Sequence, residues 1–174
     1  KTFAPYPIEV VRRVPSRQLE DEIRAGEIDA FIASSGFFWR MQQYGAISVA
    51  TLISDRQPNP NQGVAAAVLV RRDSPCQSFS DIKGKKLSAS YPTAFMSYRT
   101  AMAELAVRGY DPEHFFSEIH YLGDTFNDFI AERLMTGESD VAFVRACWLE
   151  TQPEEIRSAF RVLEPRSGDD LLCV

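Results

Sequence analysis

The chain has 174 residues, 45% of them hydrophobic, and a formal net charge of −5, which is enough for one mid-sized domain or two small lobes with a buried core. No basic run is longer than two residues, which argues against the clustered Lys/Arg face that a nucleic-acid partner needs, and no apolar run approaches the ~20 residues of a membrane span. Three cysteines without CxxC spacing and two histidines do not make a structural zinc site, and there is no Walker loop or GxGxxG sequence, so neither a metal nor a cofactor is expected.

In chain order, a strand over Ile8–Val14 leads to a helix over Arg17–Ala25, capped by Ser16 and ended by Gly26. A strand over Ile28–Ala33 passes through Ser34-Ser35-Gly36 into a helix through Phe38–Tyr44. A strand over Ile47–Ser54 precedes the turn-rich loop from Asp55 to Gly63. A strand over Val64–Arg71 follows, then a short helical turn Ser80–Lys86 closing on Gly84, and a strand over Lys86–Ser90. Residues 91–97 form a polar turn before a helix over Tyr98–Arg108 that stops at Gly109. Asp111-Pro112 starts another turn, and a strand over Glu118–Leu122 runs into Gly123-Asp124-Thr125, with Thr125 as a helix cap. Strand Val141–Ala146, helix Glu154–Phe160, a strand including Arg161-Val162-Leu163 and the start of another at Leu171-Leu172-Cys173 complete the reading. The first residue is Lys1 and the last residues fall in a strand-like stretch, so both ends read as cut points in a longer protein.

An internal repeat organises these elements. Residues 19–33 and 130–144 align without gaps, matching Ile23 with Leu134, Gly26 with Gly137, Glu27 with Glu138 and Asp29 with Asp140. Each copy reads as an amphipathic helix, a glycine stop and a short apolar strand of the kind found in a parallel sheet covered by helices. Two copies in matching contexts suggest two related lobes, and the alternation of strands and helices predicts an α/β fold with mostly parallel sheets. Lobe I is expected to comprise residues 1–68 plus 148–174, and lobe II residues 69–147.

Three separated motifs carry a family resemblance. Ser78-Phe79-Ser80-Asp81-Ile82-Lys83-Gly84-Lys85-Lys86-Leu87 resembles the opening of the second lobe in phosphate/phosphite/phosphonate-binding periplasmic proteins (the PhnD-like group), as does the turn Gly109-Tyr110-Asp111-Pro112-Glu113-His114-Phe115-Phe116, together with the Gly-Glu-x-Asp copies. The resemblance implies a two-lobed type II periplasmic-binding fold, its lobes joined by crossover strands, outside the cytoplasm. It implies a binding function rather than catalysis. A narrower resemblance lies in Val144-Arg145-Ala146-Cys147-Trp148-Leu149-Glu150 and the later Cys173, which are similar to the sensor domains of tetrathionate-sensing histidine kinases of the TtrS type. That resemblance implies an inner-membrane parent protein with covalently linked transmembrane and kinase regions, a small sulfur oxyanion as ligand in the interlobe cleft, and signalling by lobe closure. It also allows a homodimer. The alternatives are a binding protein feeding a phosphonate or phosphite ABC transporter and, from another class, an enzyme on the same fold. Where the transport proteins carry a Ser/Thr-rich turn and a Gly-Ser-His turn, this chain has Tyr91–Ser97 and Gly123-Asp124-Thr125, which moves the expected ligand away from phosphonate.

Ligands of parallel α/β sheets sit beyond the carboxyl ends of strands. The candidate contacts there are Ser34, Ser35, Tyr91, Thr93, Ser97, Thr125 and Arg145. Hydroxyls at helix starts are donors for an anion, or simply caps of those helices. Asp124 at that edge repels an anion unless it turns outward. Arg145 grips an oxyanion through paired hydrogen bonds, or forms a surface ion pair with Glu150 or another carboxylate. Cys147 is a small buried apolar group, a disulfide partner of Cys173, or a thiol poised against a sulfur–sulfur bond. Cys76 reads as incidental.

Overall fold

The structure is a computed structural model and describes residues 8–11, 17–50, 65–123 and 127–165. Ser16, the loop 55–63, Asp124, Thr125 and the stretch that includes Cys173 lie outside them. The chain divides into two compact units, residues 1–51 and 52–174. The division read from sequence is drawn differently: its boundary at 68/69 falls inside a strand of the larger unit, and residues 160–162, assigned there to lobe I, form an edge strand of the same sheet.

In the smaller unit, helices α1 (Arg17–Arg24) and α2 (Ser35–Met41) are followed by a 3-10 turn over Gln42–Tyr44. Leu19, Phe37 and Met41 are buried together, with Ile23, Ile28, Phe31 and Ala46 packed on them. Phe31 meets Phe37 edge-on at 5.8 Å, and Arg40 pairs with Glu20. Helix α1 ends as expected at Gly26, whose φ of +74° only glycine adopts freely. The expected strands are not formed in the described parts of 8–14, 28–33 and 47–54. Residues 8–11, 28–33 and 47–50 make no ladder, and Val10, Ile32, Ile47 and Val49 are exposed. A strand exists only where a neighbour satisfies its backbone groups, and apolar patterning alone does not supply that neighbour.

The larger unit is built on one five-stranded sheet of order β3-β2-β4-β1-β5, with β1 Ala66–Arg71, β2 Lys86–Ala89, β3 Glu118–Tyr121, β4 Val141–Arg145 and β5 Phe160–Val162. β2 pairs in parallel with both β3 and β4, whereas β1 runs antiparallel to β4 and β5. The expectation of mostly parallel pairing therefore holds for the β3-β2-β4 half, and the other half is antiparallel. Side chains alternate across the sheet. Ala66, Val68, Val70, Leu87, Ala89, Val141 and Phe143 enter one core with Ala101 and Leu105 of α3 (Thr100–Val107). Ala67, Leu69, Ala142 and Val144 enter another with Ile130, Ala131 and Leu134 of α4 (Asn127–Thr136). Burial on both faces is what the run of apolar residues in β1 and β4 requires. The short helices α5 (Ala146–Glu150) and α6 (Glu154–Arg157) carry the chain to β5. Helix α5 was not anticipated, and α6 stops short of Phe160, which starts the strand instead.

Two of the three family-like motifs have clear local physical roles. Asp81 Oδ2 accepts hydrogen bonds from the backbone N–H groups of Gln77 (2.8 Å) and Ser78 (2.9 Å) and from the Ser78 hydroxyl (2.9 Å), which fixes the 3-10 turn Ser80–Ile82. In the repeat, Asp140 closes a reciprocal pair with Lys86. Its backbone N–H donates to the Lys86 carbonyl, and its Oδ2 accepts from the Lys86 N–H, both at 3.0 Å. That pair sets β4 beside β2. The equivalent Asp29 is exposed and stands next to no strand among the described residues.

The three hydrogen bonds hold the Asp81 carboxyl below its ordinary value of 3.8, led by the Gln77 N–H. A depressed folded-state value contributes stability that is present above the unfolded value and lost as pH falls through the folded one. Asp81→Asn is therefore expected to melt below wild type near neutral pH, and the two melting curves should converge in acid. A gap between them that does not change with pH would show that the charge is not what holds the turn.

Candidate functional site

Because β2, β3 and β4 run in one direction, their carboxyl ends share one edge of the larger unit. Ser90 follows β2 there, Tyr121 ends β3 and Arg145 ends β4. The exits of β2 and β3 are tied together, since the N–H of Leu122 donates to the Ala89 carbonyl (2.9 Å) and the N–H of Gly123 to the Ser90 carbonyl (2.8 Å).

From Ser90 the chain turns through Tyr91–Ala94 into a π-helical turn, Phe95–Arg99, which continues as α3. The wide turn shows in the bond from the Arg99 N–H to the Ala94 carbonyl (2.9 Å), five residues back. π-turns recur at functional sites because one extra residue re-aims the side chains around it. Ser97 is 3% exposed, and its hydroxyl lies 3.0 Å from that of Ser90, itself 8% exposed. Burying hydroxyls is costly unless they are paired, and these two pair with each other. Thr93 is exposed, and Tyr91 is partly buried against the α3-side core.

Arg145 is exposed, and its backbone N–H donates to Asn127 Oδ1 at 3.1 Å. Among the described residues its guanidinium has no ion-pair partner, so the pair with Glu150 is not formed. Several other arginines of this unit are engaged. Arg108 pairs with Glu104 (2.6 Å) and Glu164 over the Phe79 ring, and Arg161 donates to the carbonyls of Arg72, Ser74 and Cys76. Cys147 is exposed in the first turn of α5 and has no disulfide partner among the described residues, which removes its reading as a buried apolar group; Cys173, the other half of the expected disulfide, lies outside them. Cys76 is free and 4% exposed, a member of the core rather than an incidental loop residue. Next to Cys147, Trp148 Nε1 donates to Asp128 Oδ1 at 3.0 Å and anchors α5 to the start of α4.

The structure thus gathers Tyr91, Thr93, Ser97 and Arg145 in the strand-end region of one unit. Ser34 is exposed at the start of α2 in the smaller unit, where it makes no side-chain capping bond, and Ser35 opens the same helix. Ser90, Tyr98 and Tyr121 were not singled out from sequence. No spacing rule links positions 98 and 121, and only the register Ala89↔Tyr121 brings them together. Among the described residues there is no cluster of three metal-ligating side chains, and no helix is long and apolar enough to cross a membrane.

Open α/β sheets take ligands beyond the carboxyl ends of their parallel strands, and here several donors lie at that edge. Residues 5–166 match the family model described as ABC transporter, phosphonate, periplasmic substrate-binding protein, and the chain belongs to that family. It is a family of extracytoplasmic proteins that bind small anionic ligands. Two solved structures of XAC2383 from Xanthomonas citri share the fold. The chloride-bound form is 19% identical with a TM-score of 0.61, covering 85% of this chain and 56% of its own. The ATP-bound form is 20% identical with a TM-score of 0.65, covering 85% and 57%. This chain thus spans a little over half the length of those structures. No curated protein matches it.

The exposures of the two described cysteines predict their reactivity. In the native protein a maleimide should label Cys147 at once, and Cys76 only after denaturation, as read by peptide mapping. Native labelling of Cys76 at the rate of Cys147 would contradict this packing.

Proposed function

We propose that the chain is the ligand-binding domain of an extracytoplasmic sensor belonging to a two-component histidine kinase, and that it takes a small sulfur oxyanion of the tetrathionate type at the carboxyl edge of β2, β3 and β4. The observation that carries the oxyanion reading is the coincidence, on one edge, of the Ser90–Ser97 hydroxyls and an exposed Arg145 that has no ion-pair partner among the described residues, in a family that binds small anions. A guanidinium and neutral hydroxyls are donors suited to an acceptor-only ion. The sensor reading is supported by the segment 144–150, where Arg145 and Cys147 both stand exposed at the β4–α5 junction and a thiol is available to a ligand containing a sulfur–sulfur bond. Ligand binding shifts the population toward the conformational state the ligand prefers, and the attached kinase reads that state. The family match favours a second reading, a substrate-binding component of a phosphonate or phosphite transporter. A transmembrane segment and kinase region in the parent gene product separates the first reading from the second.

A thermal-shift screen with tetrathionate, thiosulfate, methylphosphonate and phosphite tests the oxyanion reading. A ligand at 100 times its Kd stabilises the native state by about 2.7 kcal/mol, a clear rise in Tm. Tetrathionate is expected to give that rise. Arg145→Ala should weaken its binding roughly ten- to hundredfold, the worth of a charge-assisted hydrogen bond. Absence of a shift with every compound would overturn the oxyanion reading, and a shift with methylphosphonate or phosphite alone would favour the transporter component.

A further inference from the structure

A second hydroxyl pair lies at the same edge. Tyr98 follows Ser97 in the π-turn and Tyr121 is the last residue of β3, and the Tyr121 hydroxyl donates to the Tyr98 oxygen at 2.8 Å. The rings meet edge-on at 5.4 Å, and the Tyr98 ring also packs at 6.3 Å from Phe143 on the α3 side of the sheet. Tyr98 is 9% exposed and Tyr121 43%. The pair is continuous with the Ser90–Ser97 pair on both sides, by direct chain succession from Ser97 to Tyr98 and by the bonds that join the exits of β2 and β3.

Counting protons shows what the pair leaves over. Two phenols carry two O–H donors. One proton lies between the two oxygens, and among the described residues neither phenol has another hydrogen-bond partner. The Tyr98 proton is therefore uncommitted, on a largely buried side chain whose surroundings raise the worth of each hydrogen bond. Burial pushes the Tyr98 phenol well above the ordinary tyrosine range, so it remains an O–H donor through the physiological range. The next residue, Arg99, is exposed and adds positive charge beside it.

We propose that Tyr98, oriented by Tyr121, is a further ligand-binding residue that donates its hydroxyl proton to an oxygen of the bound oxyanion. This rests on the oxyanion reading of the strand-end edge and deepens it, because it extends the donor set from Ser97 to the end of β3. Tyr121 acts as a positioning residue: it saturates one acceptor site of the Tyr98 oxygen and leaves the proton for the ligand.

Two single substitutions separate this role from a merely structural one. Tyr98→Phe and Tyr121→Phe each break the same tyrosine–tyrosine bond, so a structural role predicts equal losses of Tm and equal effects on affinity. Only Tyr98→Phe removes the uncommitted proton. Titration calorimetry of the whole chain with tetrathionate, methanesulfonate and methylphosphonate, alongside thermal melts, provides the measurement. For whichever probe binds wild type, Tyr98→Phe is expected to lose about tenfold or more in affinity, while Tyr121→Phe stays within about threefold and melts like Tyr98→Phe. Wild-type affinity in Tyr98→Phe, or equal affinity losses in both variants, overturns the proposal and leaves the oxyanion reading intact. Failure of all three probes on wild type overturns both. If Tyr98→Phe does not fold, Tyr98→Met is read in its place: an affinity loss well beyond that of Tyr121→Phe supports the donor role, and wild-type affinity overturns it.

Discussion

The parallel pairing of β2 with both of its neighbours is the constraint on which the rest depends. Leu87 lies in register with Ile119 on one side and Val141 on the other, so three strands end together. Parallel neighbours need a crossover, and here α3 spans the route from β2 to β3 on one face while α4 spans that from β3 to β4 on the other. The two helices bury both faces, and that burial holds the strand ends in line. The antiparallel strand β1 enters at the same edge: Ala66 pairs with Arg145, and the Ala146 N–H donates to the Ala65 carbonyl at 3.0 Å. The edge that gathers the donors is thus also where the chain crosses into and out of the sheet.

Several ionic groups of the larger unit are tied into its scaffold. Glu104 is fully buried and pairs with Arg108, whose guanidinium also reaches Glu164 and stacks 4.3 Å from the centre of the Phe79 ring. Glu164 in turn accepts from the Phe79 N–H at 3.0 Å. Breaking such a group by removing one partner leaves a buried charge and is costly. Arg133 is held similarly, by Glu138 and the Ser88 hydroxyl. Arg145, by contrast, is exposed and has no carboxylate partner among the described residues.

The internal repeat shows how one pattern leads to two outcomes. Both copies form the helix and both glycines take the left-handed conformation, at φ +74° for Gly26 and +79° for Gly137. Only the second copy continues into a strand, because β2 and β1 flank it and Asp140 locks onto Lys86. Helix stops are local events decided by one residue. Strands are collective and need a partner.

The amino-acid order alone specified the α/β class, the helix boundaries marked by glycines 26, 109 and 137, the turn closed at Gly84, and strands read over 64–71, 86–90, 118–122 and 141–146 that form within one or two residues of those bounds, because capping, glycine conformation and apolar runs act over a few residues. The family was also legible, through the motifs at 78–87 and 109–116. Tertiary structure decided the antiparallel placement of β1 and β5, the absence of a ladder at 28–33, the burial of Cys76 and the exposure of Cys147. It also decided the meeting of Tyr98 with Tyr121 across 23 residues of chain. Each of these depends on which strand lies beside which, and register between distant segments is set by the packing of whole faces, which no local window of residues contains.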